Sequence, residues 1–213
     1  ARWFMLSDSP PERDMEWSDA GVAGAARFVQ RLWRLIEDGT DRLPAPGADR
    51  PNGEMSEAVA ALRTATHRTI AKVTEDLERL RFNVAVAKLY EFTTLIAETL
   101  ETPEDGPQDG WARREALEAL VLLAGPMMPH LGEEAWAALG HNTLLADTPW
   151  PDFDPGLTKE QTITVGVQVN GKLRGTLDLP KGVDAGTRLL IDLIEVADDA
   201  DCLDLGCGWG PIG

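Results

Sequence analysis

Between residues 18 and 140 the apolar residues recur at steps of three and four in five successive stretches, and nowhere in that span do they alternate. Steps of that size line up on one side of an α-helix, so each stretch must bury a stripe against a neighbour. The first carries Val22, Ala26, Val29, Trp33 and Ile36, opened by Ser18 at an N-cap position and closed by Gly39. Pro44, Pro46, Gly47, Pro51 and Gly53 then enforce a loop. A second pattern runs from residue 54 to about 79, with Ile70, Val73, Leu77 and Leu80 as its later face. Arg81-Phe82-Asn83 marks a break, with Asn83 suited to cap a third helix whose face is Ala85, Leu89, Phe92, Ile96 and Leu100. A fourth helix spans 111–124, and a fifth restarts at Pro126 and Pro129 and ends at Gly140. Residues 7–17, with Ser9-Pro10-Pro11, read as a connection. Five amphipathic helices with no strand among them predict a mainly α fold built on a helical bundle.

The pattern changes beyond residue 148. Thr148-Pro149-Trp150-Pro151, followed by Pro155-Gly156, cannot be helix. Ile163, Val165, Val167 and Val169 then alternate with Thr164, Gly166, Gln168 and Asn170, and Leu173, Leu177 and Leu179 resume the alternation. Asn170-Gly171 between them is the pair preferred in a two-residue type I′ turn, so a β-hairpin is expected, opening a small α+β domain. Residues 183–213 change character again, carrying seven acids and one base and ending in Leu203-Asp204-Leu205-Gly206-Cys207-Gly208-Trp209-Gly210. A short strand running into a glycine loop is the natural reading, and so isolated a βα entry is expected to be poorly ordered.

Charge narrows the functional classes. The chain has 213 residues and a net charge of −16, which repels phosphates, so any nucleic-acid contact must come from local cationic patches. Hydrophobic residues make up 43%, too many for a disordered acidic tail. No run of ~18 apolar residues marks a membrane span. Two cysteines, Cys202 and Cys207, make no disulfide framework and suit the cytoplasm. Ala1-Arg2-Trp3-Phe4 has neither an initiator Met nor a basic leader and reads as the middle of a longer chain.

Three stretches share one resemblance. Arg2-Trp3-Phe4-Met5-Leu6 with Ser9-Pro10-Pro11-Glu12 and Glu16-Trp17-Ser18 resembles the exit from the catalytic domain of bacterial leucyl-tRNA synthetases. Pro126-Met127-Met128-Pro129-His130-Leu131-Gly132-Glu133-Glu134-Ala135-Trp136 looks like the late-helix motif of the class I anticodon-binding domain. Trp150-Pro151 with Val167-Gln168-Val169-Asn170-Gly171-Lys172-Leu173-Arg174-Gly175 is similar to the opening of that family's C-terminal domain. The resemblance implies four parts: the end of a catalytic domain (1–17), a helical tRNA-binding domain (18–147), a linker with the start of a β-hairpin domain (148–182), and a stub (183–213). It implies an enzyme that activates leucine with ATP and transfers it to tRNA(Leu). The nucleotide-binding fold and its signature motifs are missing here, so no residue matches a catalytic position and the chain alone is expected to be inactive. The stub resembles the entry to an S-adenosylmethionine-dependent methyltransferase of the ribosomal-RNA type, with Asp204, Gly206, Gly208 and Gly210 as an incomplete cofactor loop.

Candidate tRNA contacts follow. Arg27, Arg31 and Arg34 fall at steps of four and three on one helix face, suited to phosphates or to plain solvation. Lys172 and Arg174 alternate with Leu173 just after the turn, two cations on one rigid scaffold and the preferred contact. Arg68, Lys72 and Arg79 form a looser stripe, interrupted by Glu75. His130 with Glu133 and Glu134 has no further ligand in zinc spacing, nor do the cysteines, so no metal is expected. The tryptophans lie on apolar faces or at element boundaries and read as packing rather than base-stacking residues. The expected partner is tRNA(Leu), with no membrane, no DNA, no cofactor in this chain and a monomeric state. The rival readings are a methyltransferase fusion and a helical interaction module.

Overall fold

The computed structural model describes residues 1–41, 43–53, 55–102 and 106–158, together with the backbone of 162–169 and 172–180. It divides into two compact units, Ala1–Thr158 and Lys159–Gly213. The first is helical: α1 (Arg2–Asp8), α2 (Asp19–Thr40), α3 (Glu57–Glu78), α4 (Phe82–Glu101), α5 (Pro107–Ala124), α6 (Pro129–Ala138), a 3₁₀ turn at Leu145–Asp147 and the short α7 (Pro155–Thr158). α3, α4 and α5 pack on one another; α1 lies on α4 and α2, α2 on α6 and α4, and α7 on α3.

α5 is the innermost helix, with Ala112, Ala116, Leu117, Leu120, Val121 and Leu123 buried on several sides rather than along one stripe. Two arginines are buried with them, and each closes another helix. Arg113 donates through Nη2 to the carbonyls of Thr99 (2.9 Å) and Thr102 (2.8 Å) at the C-terminal end of α4. Arg114 donates through Nη1 to the Leu139 carbonyl that ends α6 (3.1 Å) and to Glu118 (2.8 Å). A helix C-terminus leaves carbonyls without intrahelical partners, and a guanidinium satisfies them while matching the negative end of the dipole. At the other end of α5 the chain turns tightly into α6. A Cβ built on Gly132 would lie 3.0 Å from Gly125 Cα and 2.7 Å from Leu145 Cδ2, and one on Gly125 would lie 2.6 Å from that same methyl.

Ser18 caps α2 as expected, accepting the Gly21 N–H at 3.2 Å, and Ser56 caps α3 likewise from Val59. Several local expectations need correction, among them the connection read from residue 7 and the start of the fourth helix, which is Pro107 rather than residue 111. Residues 2–8 form a helix, held because Trp3 and Phe4 are buried; Trp3 stacks on Phe28 at 4.9 Å and donates its Nε1–H to Tyr90. The buried face of α2 is Ala25, Phe28, Leu32, Leu35 and Ile36, whereas Ala26 is exposed and Val22, Val29 and Trp33 flank the contact. The apolar arc of this helix is wider than one stripe, and its periodicity alone does not fix the centre. Leu80 does not continue the α3 face. It occupies the C′ position of a Schellman ending, with φ 57°, its N–H on the Leu77 carbonyl and the Arg81 N–H on the Asp76 carbonyl. The left-handed conformation costs a leucine about 1–2 kcal/mol, and its side chain is exposed. Asn83 caps nothing: Arg81 is the N-cap of α4 and makes no side-chain cap.

In the second unit β1 (Thr162–Val169) and β2 (Lys172–Pro180) pair antiparallel, from Thr162 opposite Pro180 to Val169 opposite Lys172. The register slips between Val167 and Gln168: Gln168 faces Leu173 and Val167 faces Gly175, so Arg174 is the extra residue at the slip. The two-residue turn expected at Asn170-Gly171 lies outside the described residues, as do the stub 183–213 and its Asp204, Gly206, Gly208 and Gly210.

Candidate nucleic-acid interface

With Phe28, Leu32 and Leu35 buried, one flank of α2 is left outward, and it carries Arg27, Arg31 and Arg34, all exposed. Among the described residues none of the three is in an ion pair. The Arg31 guanidinium carbon lies 5.6 Å from the Phe28 ring centroid, a contact that restrains one of these long side chains. Three exposed guanidiniums on one helix flank, without carboxylate partners among the described residues, are suited to the oxygens of a polyanion backbone.

The α3 stripe is different. Glu75 takes Lys72 at 2.9 Å, Arg79 at 2.8 Å and Arg81 at 3.5 Å. The hydrogen bond from Lys72 and the charges of Arg79 and Lys72 hold its carboxyl below the usual glutamate range. Arg81 also reaches the buried carboxylate of Asp76 at 2.6 Å. The cations of this corner are largely balanced in place. Lys172 and Arg174 fall on β2, Arg174 at the register slip.

Glu133 is committed to the backbone, its two oxygens accepting the N–H groups of Leu145 (2.7 Å) and Ala146 (2.9 Å). Among the described residues no three His, Cys, Asp or Glu side chains come together as a metal site. Trp3 and Trp136 are buried, and Trp136 stacks on His141 at 3.6 Å. Trp111 donates to the Ala48 carbonyl beneath the Arg63 guanidinium. Trp17 and Trp150 are exposed, yet their N–H groups are taken by Asp19 and Thr74. Among the described residues no helix is long and apolar enough to cross a membrane.

One polar cluster was not anticipated from the sequence. Arg63 pairs with Glu115 (Nε–Oε2 2.8 Å), and His67 lies 3.3 Å from the other oxygen. Burial pushes the Glu115 carboxyl up, but hydrogen bonds from His67 and Arg63 outweigh it, and its pKa lies below the usual glutamate value. Arg63 and His67 are four apart on one helix, which was legible; Glu115 is 52 residues from Arg63, which was not. A carboxyl with a depressed folded-state pKa stabilises above its unfolded value of about 4.3, and that contribution is lost as pH falls through the folded value. The melting-temperature gap between the native chain and Glu115→Gln is therefore expected to close as pH falls below about 4. A gap that stays constant down to pH 3 would refute this account of Glu115.

The model of the anticodon-binding domain of tRNA ligase matches residues 60–189. The chain belongs to this family. Leucine–tRNA ligases are similar over most of its length: that of Paramagnetospirillum magneticum is 54% identical over 185 residues, 87% of this chain, and that of Rhodopseudomonas palustris 50% identical over 186, 85% of this chain. The chain spans about a fifth of the length of those relatives, 21% in each case. A leucyl-tRNA synthetase from Agrobacterium radiobacter K84, solved as a ternary complex with tRNA and LeuAMS, superposes with a TM-score of 0.71 at 29% identity, covering 92% of this chain and 25% of its own. The free-state methionyl-tRNA synthetase of Mycobacterium tuberculosis shares the fold, with a TM-score of 0.51 at 17% identity over 72% of this chain and 38% of its own. A second model, the methyltransferase small domain, matches residues 180–213.

Proposed function

We propose that this chain is the tRNA-holding part of a leucine–tRNA ligase. The carrying observation is the identity of about half its residues with such ligases along 87% of its length, joined to an exposed arginine row on α2. In this reading Arg27, Arg31 and Arg34 contact phosphates of tRNA(Leu), and Lys172 and Arg174, in a small α+β domain opened by the β1–β2 hairpin, add a second contact. The solved relative that holds tRNA supports the same partner. Leucine activation with ATP belongs to the remainder of such an enzyme, so the chain binds tRNA as a cytoplasmic monomer without charging it, and it needs no cofactor, metal, DNA or membrane.

The test is binding of a tRNA(Leu) transcript to the intact chain between 50 and 200 mM salt. Affinity is expected to fall linearly on logarithmic axes, and Lys172→Ala with Arg174→Ala to flatten the slope by roughly 0.7–0.9 per lost contact. Binding indifferent to salt would favour a helical module that recognises protein instead. The match at 180–213 favours a second reading, in which Asp204, Gly206, Gly208 and Gly210 begin an S-adenosylmethionine site. Saturable S-adenosylmethionine binding by calorimetry would support that reading.

A further inference from the structure

We propose that His67 is a positioning residue, a proton-sensitive latch that fixes residues 148–158 against α3. That strap contains Pro149, Pro151 and Pro155, which have no backbone N–H to donate, and it leads to Lys159, where the second unit begins. Side chains of α3 hold it. Trp150 donates its Nε1–H to Thr74 Oγ1 at 2.8 Å, while that hydroxyl donates to the Ile70 carbonyl. The Asp154 N–H donates to His67 Nδ1 at 3.1 Å. Asp154 in turn starts α7: its carboxylate takes the Gly156 N–H at 2.7 Å, and its carbonyl takes the N–H groups of Leu157 and Thr158. One ring nitrogen thus fixes the residue that nucleates the last helical turn before the second unit.

The bond also fixes the ring's state. An N–H pointing at Nδ1 requires that nitrogen to be unprotonated, which leaves the proton on Nε2, 3.3 Å from Glu115 Oε1. His67 is 8% exposed. Facing it are the Glu115 carboxylate from α5, the Arg63 guanidinium from its own helix (Nη2 3.4 Å from Nε2) and the Asp154 N–H from the strap. A second proton would go onto Nδ1 and set two donors against each other. The strap contact is then lost while the attraction to Glu115 grows, so the strap is released and the helices are kept.

Hydrogen exchange on the intact chain tests this, comparing strap amides at about pH 8 and about pH 5, the range over which histidines charge, after correction for intrinsic exchange rates. Strap protection is expected to fall about tenfold at the lower pH while α3 and α5 amides are unchanged. Asparagine can offer a carbonyl oxygen where Nδ1 lies, so His67→Asn is expected to keep the strap protected at both pH values. Glutamine can reach only towards Glu115, so His67→Gln is expected to leave the strap unprotected at both. Equal protection of the native strap at the two pH values would overturn the proposal, as would loss of pH sensitivity in neither variant. Should His67→Gln fail to fold, the native chain and His67→Asn decide the matter alone.

Discussion

Arg113→Met is expected to lower the unfolding free energy of the helical unit by about 1.5–3 kcal/mol. The arginine is 1% exposed, and its Nη2 serves two carbonyls at the end of α4. Methionine keeps much of the bulk but offers no donor, so the Thr102 carbonyl loses the guanidinium and the Thr99 carbonyl keeps only the N–H and hydroxyl of Thr102. Arg113→Lys gives an intermediate loss, because a single ammonium cannot reproduce the planar fork. Denaturant titration followed by far-ultraviolet dichroism measures both. A loss below about 1 kcal/mol for the methionine variant would show that the carbonyls find other donors and that Arg113 is dispensable to the α4 ending.

The second large effect belongs to the α2 arginines. Reversing Arg27, Arg31 and Arg34 together to glutamate is expected to weaken tRNA binding roughly a hundredfold at about 0.15 M salt, since three phosphate contacts become three repulsions. Stability should change by no more than about 0.5 kcal/mol, because all three side chains are exposed and outside any ion pair among the described residues. Affinity measured by fluorescence anisotropy, beside a melting curve for each variant, separates the two quantities. A triple variant that binds tRNA within threefold of the native chain would remove α2 from the proposed interface. The same reversal at Lys72 and Arg79 should matter less, since Glu75 already engages both.

Which parts were legible follows from how local their causes are. Ser18 announces the start of α2 because a hydroxyl accepting a nearby N–H is a three-residue event. The α4 face of Ala85, Leu89, Phe92 and Ile96 is buried as its spacing indicates. Leu80 misled because a Schellman ending usually has glycine at that position, and a leucine there looks like one more turn of helix. α1 was hidden by its shortness: seven residues hold too few apolar repeats, and its helix is stabilised by Phe28 and Tyr90. At the candidate site the arginine row was readable from steps of four and three, as were the Lys72–Glu75 and Glu75–Arg79 pairs at three and four residues apart, but the reach of Arg81 to Asp76 depended on the tight corner after α3. His67 gave no sequence signal of its own, since Glu115 and Asp154 reach it only in the folded chain.

The close passage at the α5–α6 elbow limits how this part of the chain can vary. Gly125 would meet chiefly the Leu145 methyl, so a larger residue there can be accommodated if position 145 shrinks in the same lineage. Gly132 faces the main chain of Gly125 as well, and main chain cannot be trimmed. Divergent sequences that keep this elbow should therefore exchange bulk between positions 125 and 145 while leaving 132 bare.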